Sequence, residues 1–195
     1  MKIIFCSNNK NKRREIQKLM PEGYEIVSLA DMNYTEDIPE TAHTFEGNAL
    51  IKAQTIFDKF QIPCFADDSG LEVHALNNEP GVYSARYAGE QKNDHENMDL
   101  LLQKMKQIDN RKANFKTVIC YIDSSVVEEP KYFVGKVNGL IRRKKVGGNG
   151  FGYDPIFEPE NQGKTFAEMD MEEKNKYSHR ARAFRKMVTY LAEKK

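Results

Sequence analysis

TFEGNALIKAQTIFDKFQIPCFADDSG, residues 44–70, decides the fold. Phe45, Ala49, Ala53, Phe57 and Phe60 recur mostly four apart, the period of a helix with one apolar stripe, so 44–60 is expected to be helical. From Pro63 to Ala66 the chain is apolar over too few residues for a helix and reads as a short buried strand ending in a turn at Asp67-Asp68-Ser69-Gly70. A helix feeding directly into a buried strand is the repeating unit of an α/β domain. The flanks agree. Lys2 to Cys6 reads as a short strand, and Ser7-Asn8-Asn9 as a polar turn able to cap a helix whose apolar face holds Ile16, Leu19 and Met20. Asn93-Asp94-His95-Glu96 resembles a capping box ahead of Met98, Leu101, Leu102, Met105 and Ile108. Phe115–Ile122 and Tyr132–Val137 read as paired strands, 147–152 as a loop, and Ser178 as the cap of a last helix carrying Phe184, Met187, Val188 and Leu191. The expectation is one α/β domain over residues 1–195, with a mixed sheet because of the central hairpin.

The chain has 195 residues, enough for one domain that needs no disulfide or metal staple. No run approaches 18 apolar residues, and the opening apolar stretch is too short for a signal peptide, so a cytoplasmic protein without a membrane partner is expected. Thirty basic residues face 29 acidic ones, a net charge of +1, which argues against a nucleic-acid polymer as partner. The charges are nonetheless segregated. Lys2, Lys10, Lys12, Arg13, Arg14 and Lys18 crowd the first twenty residues, whereas Asp31, Glu36, Asp37, Glu40 and Glu46 occupy a stretch without bases. That pattern suits a small polyanion together with a cation. Cys6, Cys64 and Cys120 show no metal spacing and read as reduced, buried thiols.

Four segments carry chemistry. Ser7-Asn8-Asn9-Lys10-Asn11-Lys12 places bases at a helix start, where the dipole prefers acids; a bound phosphate would resolve the conflict, and a solvated basic face is the plainer alternative. His179, Arg180 and Arg182 repeat the pattern behind Ser178. Asp67-Asp68-Ser69-Gly70 offers adjacent carboxylates, which point opposite ways in a strand, so only one faces a metal unless the turn redirects the other. Mg²⁺ fits such a site, with Glu40 or Glu46 as a second ligand; an ordinary turn closing a strand is the alternative. Gly147-Gly148-Asn149-Gly150-Phe151-Gly152-Tyr153-Asp154 combines backbone freedom with two aromatics able to stack on a base, and it is neither a Rossmann fingerprint nor a P-loop.

SNNKNK at 7–12, TFEGNALIKA at 44–53, FADDSGLEV at 65–73, PGVYSARYAG at 80–89, GFGYDPIF at 150–157 and EEKNKYSHRARA at 172–183 together resemble the inosine triphosphate pyrophosphatases, also called dITP/XTP pyrophosphatases. The likeness runs over nearly the whole chain. It implies an elongated central mixed sheet flanked by helices, in two lobes with an active-site cleft between them. It also implies a homodimer and Mg²⁺-dependent hydrolysis of ITP, dITP or XTP to the monophosphate and pyrophosphate, which clears these nucleotides before they enter DNA or RNA. By position, it makes Asp68 the proton acceptor and a metal ligand, with Glu40 the second carboxylate. It makes Ser7, Asn8, Asn9, Lys10, Asn11, Lys12, Lys52, Ser69 and Lys174 substrate contacts. Phe151, Gly152, Tyr153 and Asp154 fall on the base and ribose side, and His179 and Arg180 contact the nucleotide near its base. Two departures are small: Asn8 stands where the family often has glycine, and Ala181 where many members have glycine. The competing readings are a phosphatase with an aspartyl nucleophile, which would release orthophosphate, and a nucleotide- or RNA-binding module without turnover.

Overall fold

Ile3 and Phe5 of the first strand enter one buried cluster, while Ile4 and Cys6 enter another. Period-two alternation with both faces buried is what an apolar run such as KIIFC encodes. The computed structural model describes residues 1–17, 19–20, 22–123 and 129–193. The strands are β1 (Lys2–Phe5), β2 (Glu25–Ser28), β3 (Cys64–Val73), β4 (Lys112–Ile122), β5 (Lys131–Ile141) and β6 (Phe157–Pro159). The helices are α1 (Lys10–Gln17), α2 (Phe45–Phe60), α3 (Asp94–Lys104), α4 (Met171–Tyr177) and α5 (His179–Glu193). Among the described residues the strands form one six-stranded sheet in the order β2-β1-β3-β4-β5-β6. It is mixed: β1 runs parallel to β2 and β3, and β5 antiparallel to β6.

The chain divides into two compact units, one of Met1–Asp68, Thr117–Gly135 and Arg180–Lys195, the other of Ser69–Lys116 and Lys136–His179. In the first unit the sheet is covered on both faces. Ile3, Phe5, Phe65, Ile119 and Tyr121 pack with Ile16 of α1 and with Ala183, Phe184, Met187 and Leu191 of α5. Their strand neighbours Ile4, Cys64, Ala66, Cys120 and Ile122 pack with Ala49, Ala53 and Ile56 of α2. All three cysteines are buried free thiols, as expected. In the second unit Leu71, Val73, Ala113, Phe115, Val137 and Ile141 pack with Met98 and Leu101 of α3, with Met105 just after it, and with Phe157 and Phe166.

The helix expected over 44–60 forms over Phe45–Phe60. Thr44 accepts from Gly47 N at 3.0 Å, and Gln61 closes the helix in the left-handed region. Asn9 caps α1 by accepting from Asn11 N and Lys12 N at 3.0 and 3.1 Å, and Ser7 Oγ accepts from Asn9 N. Leu19 and Met20 follow the end of α1 yet pack against the same cluster as Ile16. One expectation fails. The strand does not stop at Ala66: Asp67 and Asp68 lie inside β3, which continues to Val73. A buried carboxylate doublet is costly unless paired, and here cations from remote segments pair it, so the strand passes through.

Candidate active site

Asp67 and Asp68 are both buried, and their environments differ. Asp67 is a hub for cations. Lys12 Nζ donates to its Oδ1 at 3.1 Å, Arg180 Nε donates to its Oδ2 at 3.2 Å, and Lys52 Nζ donates to its backbone carbonyl at 2.7 Å. Burial alone would push the Asp67 carboxyl up, but Lys12, Arg180 and Lys52 outweigh it and hold the group well below the usual carboxylate range. Arg180 also donates to buried Glu15, so its guanidinium is fixed between two acids. Burial lowers the Lys12 pKa, and the attraction of Asp67 does not make up the difference.

Asp68 meets a different set. Asn48 Nδ2 donates to its Oδ2 at 3.1 Å, and Lys52 Nζ lies 3.7 Å from its Oδ1. Glu40 Oε1 lies 2.5 Å from the same ammonium. Burial raises the Asp68 pKa against the pull of Lys52, whereas Lys52 outweighs burial at Glu40 and lowers it. Asp68 is therefore the more basic of the two carboxylates. Lys52 keeps its charge despite burial because Asp68, Glu40 and Asp67 surround it. Two carboxylates converging on one cation make a donor set of hard oxygens, which suits Mg²⁺ completed by water and substrate phosphates. Among the described residues no group of three or more His, Cys, Asp or Glu side chains forms a metal cage by itself, so Glu40 and Asp68 would share the ion with substrate oxygens.

All of this lies in the first unit, together with Ser7, Asn8, Asn9, Lys10 and Asn11. Asn8, Asn9, Lys10 and Asn11 are exposed and Ser7 half-buried. Glu46, the other acid considered as a ligand, sits in the first turn of α2.

Of the remaining residues singled out, Ser69, Phe151, Gly152, Tyr153, Asp154, Lys174 and His179 belong to the second unit. Lys174 Nζ lies 2.6 Å from Asp154 Oδ2 and 4.9 Å from the centre of the Phe151 ring. The same Asp154 oxygen accepts from Phe151 N at 2.9 Å, and Gly152 N donates to Asp94 Oδ2 at 2.7 Å. Tyr153 is buried, with its hydroxyl on Ser84 O at 2.8 Å. His179 stacks on Phe115, ring centres 4.6 Å apart at 10°. The structure thus gathers Phe151, Asp154 and Lys174 into one ionic and aromatic cluster, while Tyr153 and His179 serve the packing of that unit. Ser69 is half-buried at the β3 position after Asp68.

Sequence reasoning missed Glu15, Asn48 and the role of Asp67. Asn48 had a signal: with Lys52 it is a polar residue on the buried stripe of α2, one turn apart.

Residues 3–190 match the model of the Ham1 family. The chain belongs to the Ham1 family. This Ham1-family chain is 54% identical to a protein of Flavobacterium johnsoniae named dITP/XTP pyrophosphatase, with both chains covered in full. A protein of the same name from Flavobacterium psychrophilum is 51% identical, with 97% of this chain and 98% of that one covered. Among solved structures, the Staphylococcus aureus Ham1 protein superposes with a TM-score of 0.91 at 40% identity over the whole of both chains. The mixed sheet with flanking helices is the Ham1 fold.

Proposed function

We propose that this protein hydrolyses dITP, XTP and ITP to the nucleoside monophosphate and pyrophosphate, as a Mg²⁺-dependent homodimer working in the cytoplasm to clear these nucleotides. The observation that carries the reading is full-length similarity, at 51% and 54% identity, to proteins named for that activity. The cluster around Asp67 and Asp68 supports it chemically.

Glu40 and Asp68 would hold the ion, which when bound neutralises charge on the triphosphate oxygens. Asp68 accepts a proton from the water attacking the α-phosphorus; a carboxylate beside a bound ion stays ionised, so it acts as a base of modest strength. Lys12 and Lys52 take the charge that develops on the leaving pyrophosphate, and the exposed residues of the α1 start, Asn8 to Asn11, line up donors for phosphate oxygens. Within the second unit, Phe151 is an aromatic ring able to stack on a base, its loop held by Asp154 and Lys174. Hypoxanthine and xanthine carry a carbonyl at the six-position and adenine an amino group. A site that donates a hydrogen bond to that carbonyl leaves its donor unpaired against adenine, which costs about 1–3 kcal/mol.

The test is to incubate the pure protein with dITP, XTP, ITP, ATP and GTP, with and without Mg²⁺, and identify the products. Pyrophosphate from the first three and not from ATP, only with Mg²⁺, is the expected result, and orthophosphate would overturn it; GTP shares the six-position carbonyl, so its rate measures what the two-amino group adds. Asp68→Asn should lower kcat by roughly 10²–10⁴-fold while the melting temperature holds. Light scattering checks the dimer.

A further inference from the structure

Asn48 lies in the interior of α2, fully buried, where an amide side chain is costly unless both of its ends are paired. Both are. Its Oδ1 accepts from the backbone N of Ala42 at 2.9 Å, and its Nδ2 donates to Asp68 Oδ2 at 3.1 Å. The amide orientation follows from chemistry: a backbone N–H only donates, so the end facing Ala42 is the oxygen and the end facing Asp68 is the nitrogen. Ala42 ends the short segment that carries Glu40. One buried side chain therefore ties together the two stretches bearing Glu40 and Asp68. Because the amide occupies Asp68 Oδ2, the other oxygen, Oδ1, is the one turned toward Lys52 Nζ, at 3.7 Å, where Glu40 also arrives.

We infer that Asn48 is a positioning residue that sets the separation of Glu40 and Asp68 and selects the Asp68 oxygen offered to a divalent cation. The inference rests on the Mg²⁺ reading above. A residue that orients a ligating carboxylate is worth about 10–100-fold in metal affinity.

The experiment titrates Mn²⁺ calorimetrically, without nucleotide, into the wild type, Asn48→Ala and Asp68→Asn. It then measures the Mg²⁺ concentration for half-maximal turnover of dITP and the KM for dITP at saturating Mg²⁺. The expected result is Mn²⁺ binding by the wild type and about tenfold weaker binding by Asn48→Ala. The half-saturating Mg²⁺ should rise by a similar factor, and KM should change little. Wild-type Mn²⁺ affinity in Asn48→Ala would overturn the inference even if the variant melts lower, because a purely structural role changes the folded fraction and not the affinity. A wild type that binds no Mn²⁺ would overturn the metal reading itself. If Asn48→Ala does not fold, side-chain amide spectra of the ¹⁵N-labelled wild type decide: two resolved Asn48 amide protons that shift when Mg²⁺ is added are expected, and signals unmoved by Mg²⁺ would overturn the inference.

Discussion

Asp67 faces two cations at once, Lys12 at 3.0 Å and Arg180 at 3.2 Å, in a place almost without water. Removing one partner from a buried ionic group leaves the others charged and uncompensated, a loss of about 3–5 kcal/mol. Asp67→Ala should therefore lower the urea unfolding free energy by about that much, and a loss under 1 kcal/mol would show that water reaches Lys12 and Arg180. Asp67 and Asp68 are chemically identical neighbours, yet one anchors cations and the other is raised toward basicity. No reading of the doublet alone separates them. The partners come from residues 12, 48, 52 and 180, brought together only by folding.

Among the elements, α2 was readable to within a residue because five apolar residues recur at helical spacing along it. β2, β6 and α4, of four, three and seven residues, are too short to show a period, and none was expected. The loop before Asp154 was legible in kind, and the structure supplies the reason for one glycine. Gly150 has φ +78°, and a Cβ there would stand 2.1 Å from Asp154 Oδ2. The left-handed conformation costs a non-glycine residue about 1–3 kcal/mol, and relieving the clash moves Asp154 off Phe151 N and Lys174. Gly150→Ala should lower the melting temperature and raise KM for dITP while kcat per folded molecule stays near wild type. Thermal melts with steady-state kinetics check this, and an unchanged KM would detach the loop from nucleotide binding.

For the whole molecule the shifted groups predict two limbs of pH dependence. The Asp67 carboxyl is depressed below its unfolded value of about 4, so its contribution is complete above that pH and is lost as pH falls below it. The Cys120 thiol is pushed up to about 12 by burial, so its contribution is complete below its unfolded value and is lost as pH rises toward 12. Buried Cys6, Tyr121 and Tyr153 shift in the same direction. Melting temperatures between pH 3 and 11 should form a plateau with both limbs falling. Asp67→Asn should flatten the acid limb, and Cys120→Ala should lose less than the wild type above pH 8. A wild-type melting temperature constant to pH 11 would contradict the alkaline limb. No helix among the described residues is long and apolar enough to cross a membrane.

Periodicity, caps and chain-breaking residues are local, so the sequence by itself determined the α/β class, the longer helices and the buried thiols. Tertiary structure alone decided that β3 runs through its acidic doublet and that Arg180 is locked between Glu15 and Asp67. It also decided that Lys174 pairs with Asp154 and that Asn48 spans Ala42 and Asp68. The physical reason is the same in each case. A buried charge or amide is tolerable only beside its partner, and those partners lie far off along the chain, where no local pattern records them.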